Sequence, residues 1–218
     1  MILWDWFFQS RYPQIWEKKI RWKDRLPAHL LQERESIKQG FLEPTYTFPR
    51  QVASAHGYTK VSLIFFSDAS KDHYAACAYL CFEYSPTEVC TQLTFSKSRI
   101  KPAKSTHLTI PRMELLGVFI AERASLALIS GLNVPLSSVT FFCDNTAVLH
   151  YVVHQQSINK WVQNRMETIN DTKMELEERK LRPSFRHVQK ESNPADIASR
   201  GATLTQLKDK DGNMVRIS

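Results

Sequence analysis

Two short, mostly apolar runs, LIFFS at residues 63–67 and VTFFC at 139–143, each close on an aspartate, Asp68 and Asp144. Such runs read as buried strands. A carboxylate just past a buried strand sits at the strand's carboxyl edge, where open α/β sheets hold their ligands. Two further acids stand in comparable settings. Glu114 opens an apolar-periodic helix in IPRMELLG, and Asp196 opens a short segment after Pro194 in NPADIASR. Singly, each acid also reads as a cap or turn residue, and both CDNT and NPAD look like helix starts. Asp68, after its apolar run, is harder to read that way. Four carboxylates brought together repel unless divalent cations neutralise them. The natural reading is a two-metal phosphodiester site.

The rest of the pattern surrounds these strands with an alternating order of elements. Strands are expected at 61–67, 74–84 and 89–96, with turns at 71–73 and 85–88, the second carrying Pro86. A helix over 113–129 follows, stopped by Gly131 and Pro135. Then come the strand at 139–143, a short helix over 146–154 capped by Asn145 or Thr146, and a longer, more polar helix over 158–179. A last strand at 183–188 and a last helix at 194–200 complete the order. The expected class is α/β, with five strands, the first three reading as an antiparallel meander.

Residues 1–55 differ from the remainder. They hold four of the five tryptophans, Trp4, Trp6, Trp16 and Trp22, among Lys18, Lys19, Arg21, Lys23 and Arg25. A helix over 27–39 with Gly40 as its stop is expected there. The expected division is an aromatic, helical connection segment at 1–55, a main domain at 56–202 and a flexible polar tail at 203–218. No run of 18 apolar residues occurs, so no membrane span is expected. The start MILWDWFFQSRYP lacks the basic and small-residue features of a signal peptide. Cys77, Cys81, Cys90 and Cys143 sit in strand-like runs with no CxxC pair, which reads as reduced core thiols in an intracellular protein. The net charge of +7 favours a polyanionic partner without proving one.

With these residues in view, the chain resembles the ribonuclease H region of BEL/Pao-type LTR retrotransposon polyproteins. SDAS, SKSRIKPAKSTHLTIPRMELLG, CDNTAVLHYV, NRMETI and FRHVQKESNPADIASRG carry the resemblance, in the family's order, from about Leu26 to Gly201. The acids are spaced by 46, 30 and 52 residues. The resemblance implies a ribonuclease H-like fold, a mixed five-stranded sheet with helices on both faces, and cleavage of the RNA strand of RNA–DNA hybrids with two Mg²⁺ or Mn²⁺ ions. It assigns Asp68 as the bridging ligand, Glu114 and Asp144 to one ion, and Asp196 to the other. It makes residues 1–55 the connection that joins a polymerase body to this domain. The polymerase is absent from the chain, so a protein partner or self-association through 1–55 is expected. The implied setting is intracellular, in a cytoplasmic virus-like particle or the nucleus, for either a polyprotein piece or a host protein derived from one.

Many ribonuclease H relatives carry a loop histidine before the last acid. His187 is the candidate here, but it falls inside the strand-like run, where a packed or hydrogen-bonded histidine is the plainer reading. Lys190 and Glu191 follow in a loop without histidine. His150 and His154 stand at i, i+4 without the glutamate or third ligand of a zinc helix. The segment before Glu114 carries Lys97, Arg99, Lys101, Lys104 and Arg112 with interleaved hydroxyls, either a phosphate-contacting loop or a solvated one. Ser70 and Asn145, beside two of the acids, are candidates for sugar hydroxyls, and Asn193 for bracing or contacting at the last loop. Two other classes compete: a silent nucleic-acid-binding or assembly module derived from a retroelement, and a transposase or integrase. The acid order argues against the latter, whose last acid is usually a glutamate on a helix.

Overall fold

Residues 60–69 are apolar on both faces of an extended chain, and a strand so built has to lie inside a sheet covered on both sides. In the computed structural model, which describes residues 19–21, 23–41, 57–102, 105, 107–154 and 159–201, this is the central strand β1 (Lys60–Ala69), buried along nine of its ten residues. β1 pairs antiparallel with β2 (His73–Ser85), which pairs antiparallel with β3 (Glu88–Ile100). On its other side β1 runs parallel to β4 (Ser138–Cys143), itself parallel to β5 (Pro183–His187). The sheet order is β3-β2-β1-β4-β5. It is the expected mixed five-stranded sheet.

Helices cover both faces. α1 (Ala28–Phe41) precedes the sheet. α2 (Ile110–Gly131), α3 (Thr146–His154) and α4 (Lys160–Glu178) pack on one face. Their core takes in Leu63, Phe65, Val139, Phe141, Val118, Val148 and Ile169. α5 (Ala195–Arg200) covers Ile64, Phe66 and Cys77 on the other face through Ala195. Phe65, Phe141 and Phe185 stack across three neighbouring parallel strands with centroids 5.1 Å apart, and Phe66 stacks on Phe142 on the opposite face at the same spacing. Such pairs add about 0.5–1.5 kcal/mol each beyond their buried area. They fix the lateral order of the strands that end at the acids.

Several boundaries differ from the sequence reading, among them those of α2, which runs Ile110–Gly131 where 113–129 was expected and takes in the glycine expected to stop it. Asp68 is inside β1, not after it, because the ladder to β2 continues as Asp68↔Ala75 and Ala69↔Tyr74 after the pairing with β4 has ended at Ser67↔Cys143. β3 runs on to Ile100, so Lys97 and Arg99, expected in a loop, belong to an edge strand held by its register with β2. α1 continues past Gly40 to Phe41. The loop after β5 contains a short 3₁₀ turn, Lys190–Ser192. Trp4, Trp6, Trp16, Trp22, Lys104 and the tail at 203–218 lie outside the described residues. Among the described residues no helix is long and apolar enough to cross a membrane.

Candidate metal and nucleic-acid site

The four acids come from four separate elements to the carboxyl edge of β1 and β4. The parallel register sets Ser67 beside Cys143, which leaves Asp68 and Asp144 as neighbours at that edge. Glu114, in the second turn of α2, reaches the same edge from one face, and the backbone N–H of Ala69 hydrogen-bonds to its carboxylate. α5 brings Asp196 from the other face, and the hydroxyl of Ser199, three residues on, donates to Asp68 Oδ2. One ligand atom from each of Glu114, Cys143 and Asp144 lies within 4.8 Å of the others. Glu114 Oε2 and Asp144 Oδ1 are buried with no hydrogen-bond partner.

Two devices hold this edge together. Asn193, 2% exposed, donates from Nδ2 to the carbonyl of Ser67 at 2.9 Å and accepts from the Ala195 N–H at 3.1 Å. It ties the start of α5 to the strand that carries Asp68. Gly117 lets α2 lie close to the sheet: a Cβ there would meet the Ala75 carbonyl at 3.1 Å and the Asp68 carbonyl at 3.3 Å.

The electrostatics are those of crowded, desolvated acids. Burial pushes Glu114 up to about 8, with further increments from Asp68 and Asp144, against lowering by the Ala69 N–H and Lys190. Burial also raises Asp68; the Ser199 hydrogen bond opposes this, while Asp144 and Asp196 reinforce it. Asp144 is raised by burial and by Asp196, and lowered by Lys190 and His187. The four groups therefore share one field. Asp196 is ion-paired through Oδ1 to Arg200 Nε at 2.5 Å, one turn along α5. The residues fit a divalent cation: all-oxygen carboxylate donors, like-charged and in part unpartnered, are what hard cations bind.

The expected nucleic-acid contacts divide. Lys97 and Arg99 are exposed on β3, opposite Ala76 and Tyr74. Lys101 follows directly, its N–H donating to the Asp72 carbonyl at 2.7 Å. Arg112 is half-buried, donates from Nη1 to the His107 carbonyl at 2.6 Å, and lies 5.5 Å from the centre of the Trp161 ring. Ser70 and Asn193 are held within the fold, and Asn193 makes the brace that was one of its two expected roles. The Ser70 hydroxyl donates to the Ser199 carbonyl at 2.9 Å and accepts the His73 N–H at 3.1 Å, so it fastens the β1–β2 turn to α5. Asn193 is too deeply buried to touch a nucleic acid and serves as the brace described above. Asn145 Oδ1 caps α3 by accepting from the N–H groups of Ala147 and Val148. His187 ends β5, and its Nε2 donates to the Asp144 carbonyl at 3.2 Å. His150 and His154 are exposed neighbours on α3 with ring centroids 4.3 Å apart, and among the described residues neither belongs to a group of metal-ligating side chains.

A family model described as the Pao retrotransposon-like RNaseH-like domain matches residues 7–145, more than half of the chain. The chain belongs to this family. The Pao match takes in Asp68, Glu114 and Asp144 and ends before Asp196. It begins at residue 7, upstream of the Leu26 from which the resemblance was traced, and so includes most of the connection segment. No curated protein matches the chain. Among solved structures it is similar to LC11-RNase H1, isolated from compost and crystallised with an RNA/DNA hybrid, at 14% identity and a TM-score of 0.44. That similarity covers 68% of this chain and 99% of the other. It is also similar to RNase H1 from Halobacterium salinarum NRC-1 at 11% identity and a TM-score of 0.42, covering 66% and 99%. The N-terminal RNase H domain of a Mycobacterium tuberculosis protein, fused to maltose-binding protein, matches at 9% identity and a TM-score of 0.44, covering 69% and 99%.

Beside the acids the sequence reading missed Cys143, Ser199 and Arg200, and beside Arg112 it missed Trp161 and Arg165. Cys143 shares the inward parity of Val139 and Phe141 on β4, a signal present in the sequence. Ser199 and Arg200 lie three and four residues after Asp196, the helical spacing that sets side chains on one face. Arg165, whose guanidinium sits 3.6 Å from the Trp161 ring centre, and Arg112, at 5.5 Å, share that ring only in the folded chain.

Proposed function

We propose that this protein is a divalent-metal-dependent endonuclease that hydrolyses the RNA strand of RNA–DNA hybrids. One observation carries the reading: carboxylates from four elements share one field at the carboxyl edge of two parallel strands, with buried oxygens left unpartnered. Asp68 would hold both ions, Glu114 and Asp144 one, and Asp196 the other. When bound, two Mg²⁺ or Mn²⁺ ions supply an activated water and neutralise charge on the phosphate and the leaving oxygen. Ser199 fixes Asp68 through Oδ2. Asp196 is ion-paired to Arg200 and would have to release it to hold an ion. Lys97, Arg99, Lys101 and Lys104 would grip the backbone, and Asn145, beside Asp144, would lie at the sugar.

The test is a hybrid labelled on either strand. Cleavage of the RNA strand alone, dependent on Mg²⁺ or Mn²⁺ and abolished by Asp68→Asn in a folded protein, supports the reading. Equal activity in that variant or in excess chelator refutes it.

A second reading is a catalytically silent module that binds nucleic acid or assembles with protein. The Asp196–Arg200 ion pair and the His187–Asp144 hydrogen bond favour it, because they occupy the last acid and His187. It predicts hybrid binding without cleavage under every metal condition. An intracellular setting, in a cytoplasmic particle or the nucleus, belongs to either reading and is checked by imaging the tagged chain.

A further inference from the structure

We propose that Glu114, Cys143 and Asp144 form a mixed sulfur and oxygen site for a single thiophilic divalent cation such as Zn²⁺, overlapping the hard-cation site. The inference rests on the proposed metal site in that it shares two of its acids. It departs from that site in the ligand set, the number of ions and the kind of cation.

The geometry starts at β4. Its inward residues alternate as Val139, Phe141 and Cys143, so the last of them sets a sulfur at the strand's carboxyl edge while Asp144 continues past it. One oxygen from each of Glu114 and Asp144 and the Cys143 sulfur lie within 4.8 Å of one another, and the sulfur also accepts the Asn145 N–H at 3.4 Å. Glu114 supplies an independent sign that a ligand belongs there. Its side chain is 5% exposed, and Oε2 has no hydrogen-bond partner; Asp144 Oδ1 is likewise buried and unpartnered. Buried polar atoms ordinarily have a partner, and no protein group supplies one here among the described residues.

Mg²⁺ demands oxygen ligands in near-octahedral array and gains little from a thiol. Zn²⁺ accepts four ligands in a tetrahedron, sulfur among them, and three protein ligands leave one position open. As the sulfur–zinc bond forms, the Cys143 S–H bond breaks and its proton passes to the buffer. Cys77 and Cys81 face the other side of the sheet, in the core covered by α5, and so cannot join this group. A Zn²⁺ ion held by Glu114, Cys143 and Asp144 takes two acids from the hard-ion pair. Zn²⁺ then acts as a competitive block on any Mg²⁺-dependent reaction.

The experiment uses the whole chain loaded with one equivalent of Zn²⁺, or of Co²⁺ as a spectroscopic substitute. X-ray absorption of the zinc form should show one sulfur scatterer at about 2.3 Å, and the cobalt form a thiolate-to-metal charge-transfer band. Both signals should disappear in Cys143→Ser and persist in Cys90→Ser. Asp144→Asn, a nearly isosteric change at a half-buried position, should weaken Zn²⁺ binding even if the cysteine variant does not fold. A coordination shell of oxygen and nitrogen alone, a sulfur signal that survives Cys143→Ser, or unchanged Zn²⁺ affinity in Asp144→Asn overturns the proposal. Hybrid cleavage with Mg²⁺ is measured separately. Cleavage without a sulfur signal overturns this inference and leaves the hydrolase reading standing. A Cys143-dependent sulfur signal without cleavage upholds this inference and removes the hydrolase reading.

Discussion

Glu122 lies on α2 two turns beyond Glu114, 1% exposed, with both carboxylate oxygens unpartnered. Burial pushes it from the ordinary 4.5 up to about 8, and Lys173 on α4 only partly offsets this. Folding therefore makes this carboxyl bind its proton more tightly. Between those two values the folded state holds more protons than the unfolded state, so stability falls as pH rises through the window and levels off above it. Glu122→Gln removes the titrating group and should remove that share of the slope. Chemical denaturation of both proteins from about pH 5 to about pH 8 checks it: the wild type should lose ground to the variant as pH rises. A constant difference between the two would exclude Glu122 as the source. At this scale the sequence displays the acids that end strands or open helices, because local pattern marks them. Glu122, Cys143 and Ser199 were overlooked because what matters about each is a neighbour from another element.

α2 carries Glu114 and Gly117 one turn apart, and the glycine decides how closely the helix approaches β1. Alanine is favoured over glycine inside a helix by about 0.5–1 kcal/mol. At Gly117 a methyl group would press on two backbone carbonyls, those of Ala75 and Asp68, which cannot rotate aside. Gly117→Ala should therefore shift α2 outward, lower thermal stability in spite of its better helix propensity, and weaken Mn²⁺ binding by moving Glu114 off the edge. Thermal unfolding together with Mn²⁺ titration reads both effects, and a variant that is more stable and binds Mn²⁺ equally would refute the argument. Element types were legible because the period changes from two to 3.6 between β3 and α2, and because apolar runs flank Asp68 and Asp144. Element ends were not. Asp68 joins β1 and Arg99 joins β3 through cross-strand partners, Ala75 and Tyr74, that no local pattern reveals.

Across the whole molecule, the net charge of +7 is set against an acidic edge that Arg200 and Lys190 offset in part. Residues 1–55 belong in part to the Pao family match and hold four tryptophans whose placement lies outside the described residues. We keep the proposal that they contact a protein partner or a second copy. A chain lacking them should change its sedimentation while retaining Mn²⁺ binding; unchanged sedimentation would count against it. The basic rim makes the broader claim. Lys97 and Arg99 project from an edge strand, Lys101 follows them, and Arg112 and Arg165 flank Trp161 at the start of α2 and α4. Cations arrayed on the backbone and not reading bases give affinity that is nearly blind to sequence and steep in salt, because each neutralised phosphate releases counterions. Exposed Lys97 and Arg99 are the cleanest pair to remove, since neither takes part in the packing of the acids. Replacing both with alanine should weaken hybrid binding to every sequence alike and reduce the slope of log affinity against log salt by roughly one unit per lost contact. Fluorescence anisotropy in an Asp68→Asn background separates binding from any cleavage. A slope that stays at its wild-type value would mean that β3 presents these charges only to solvent.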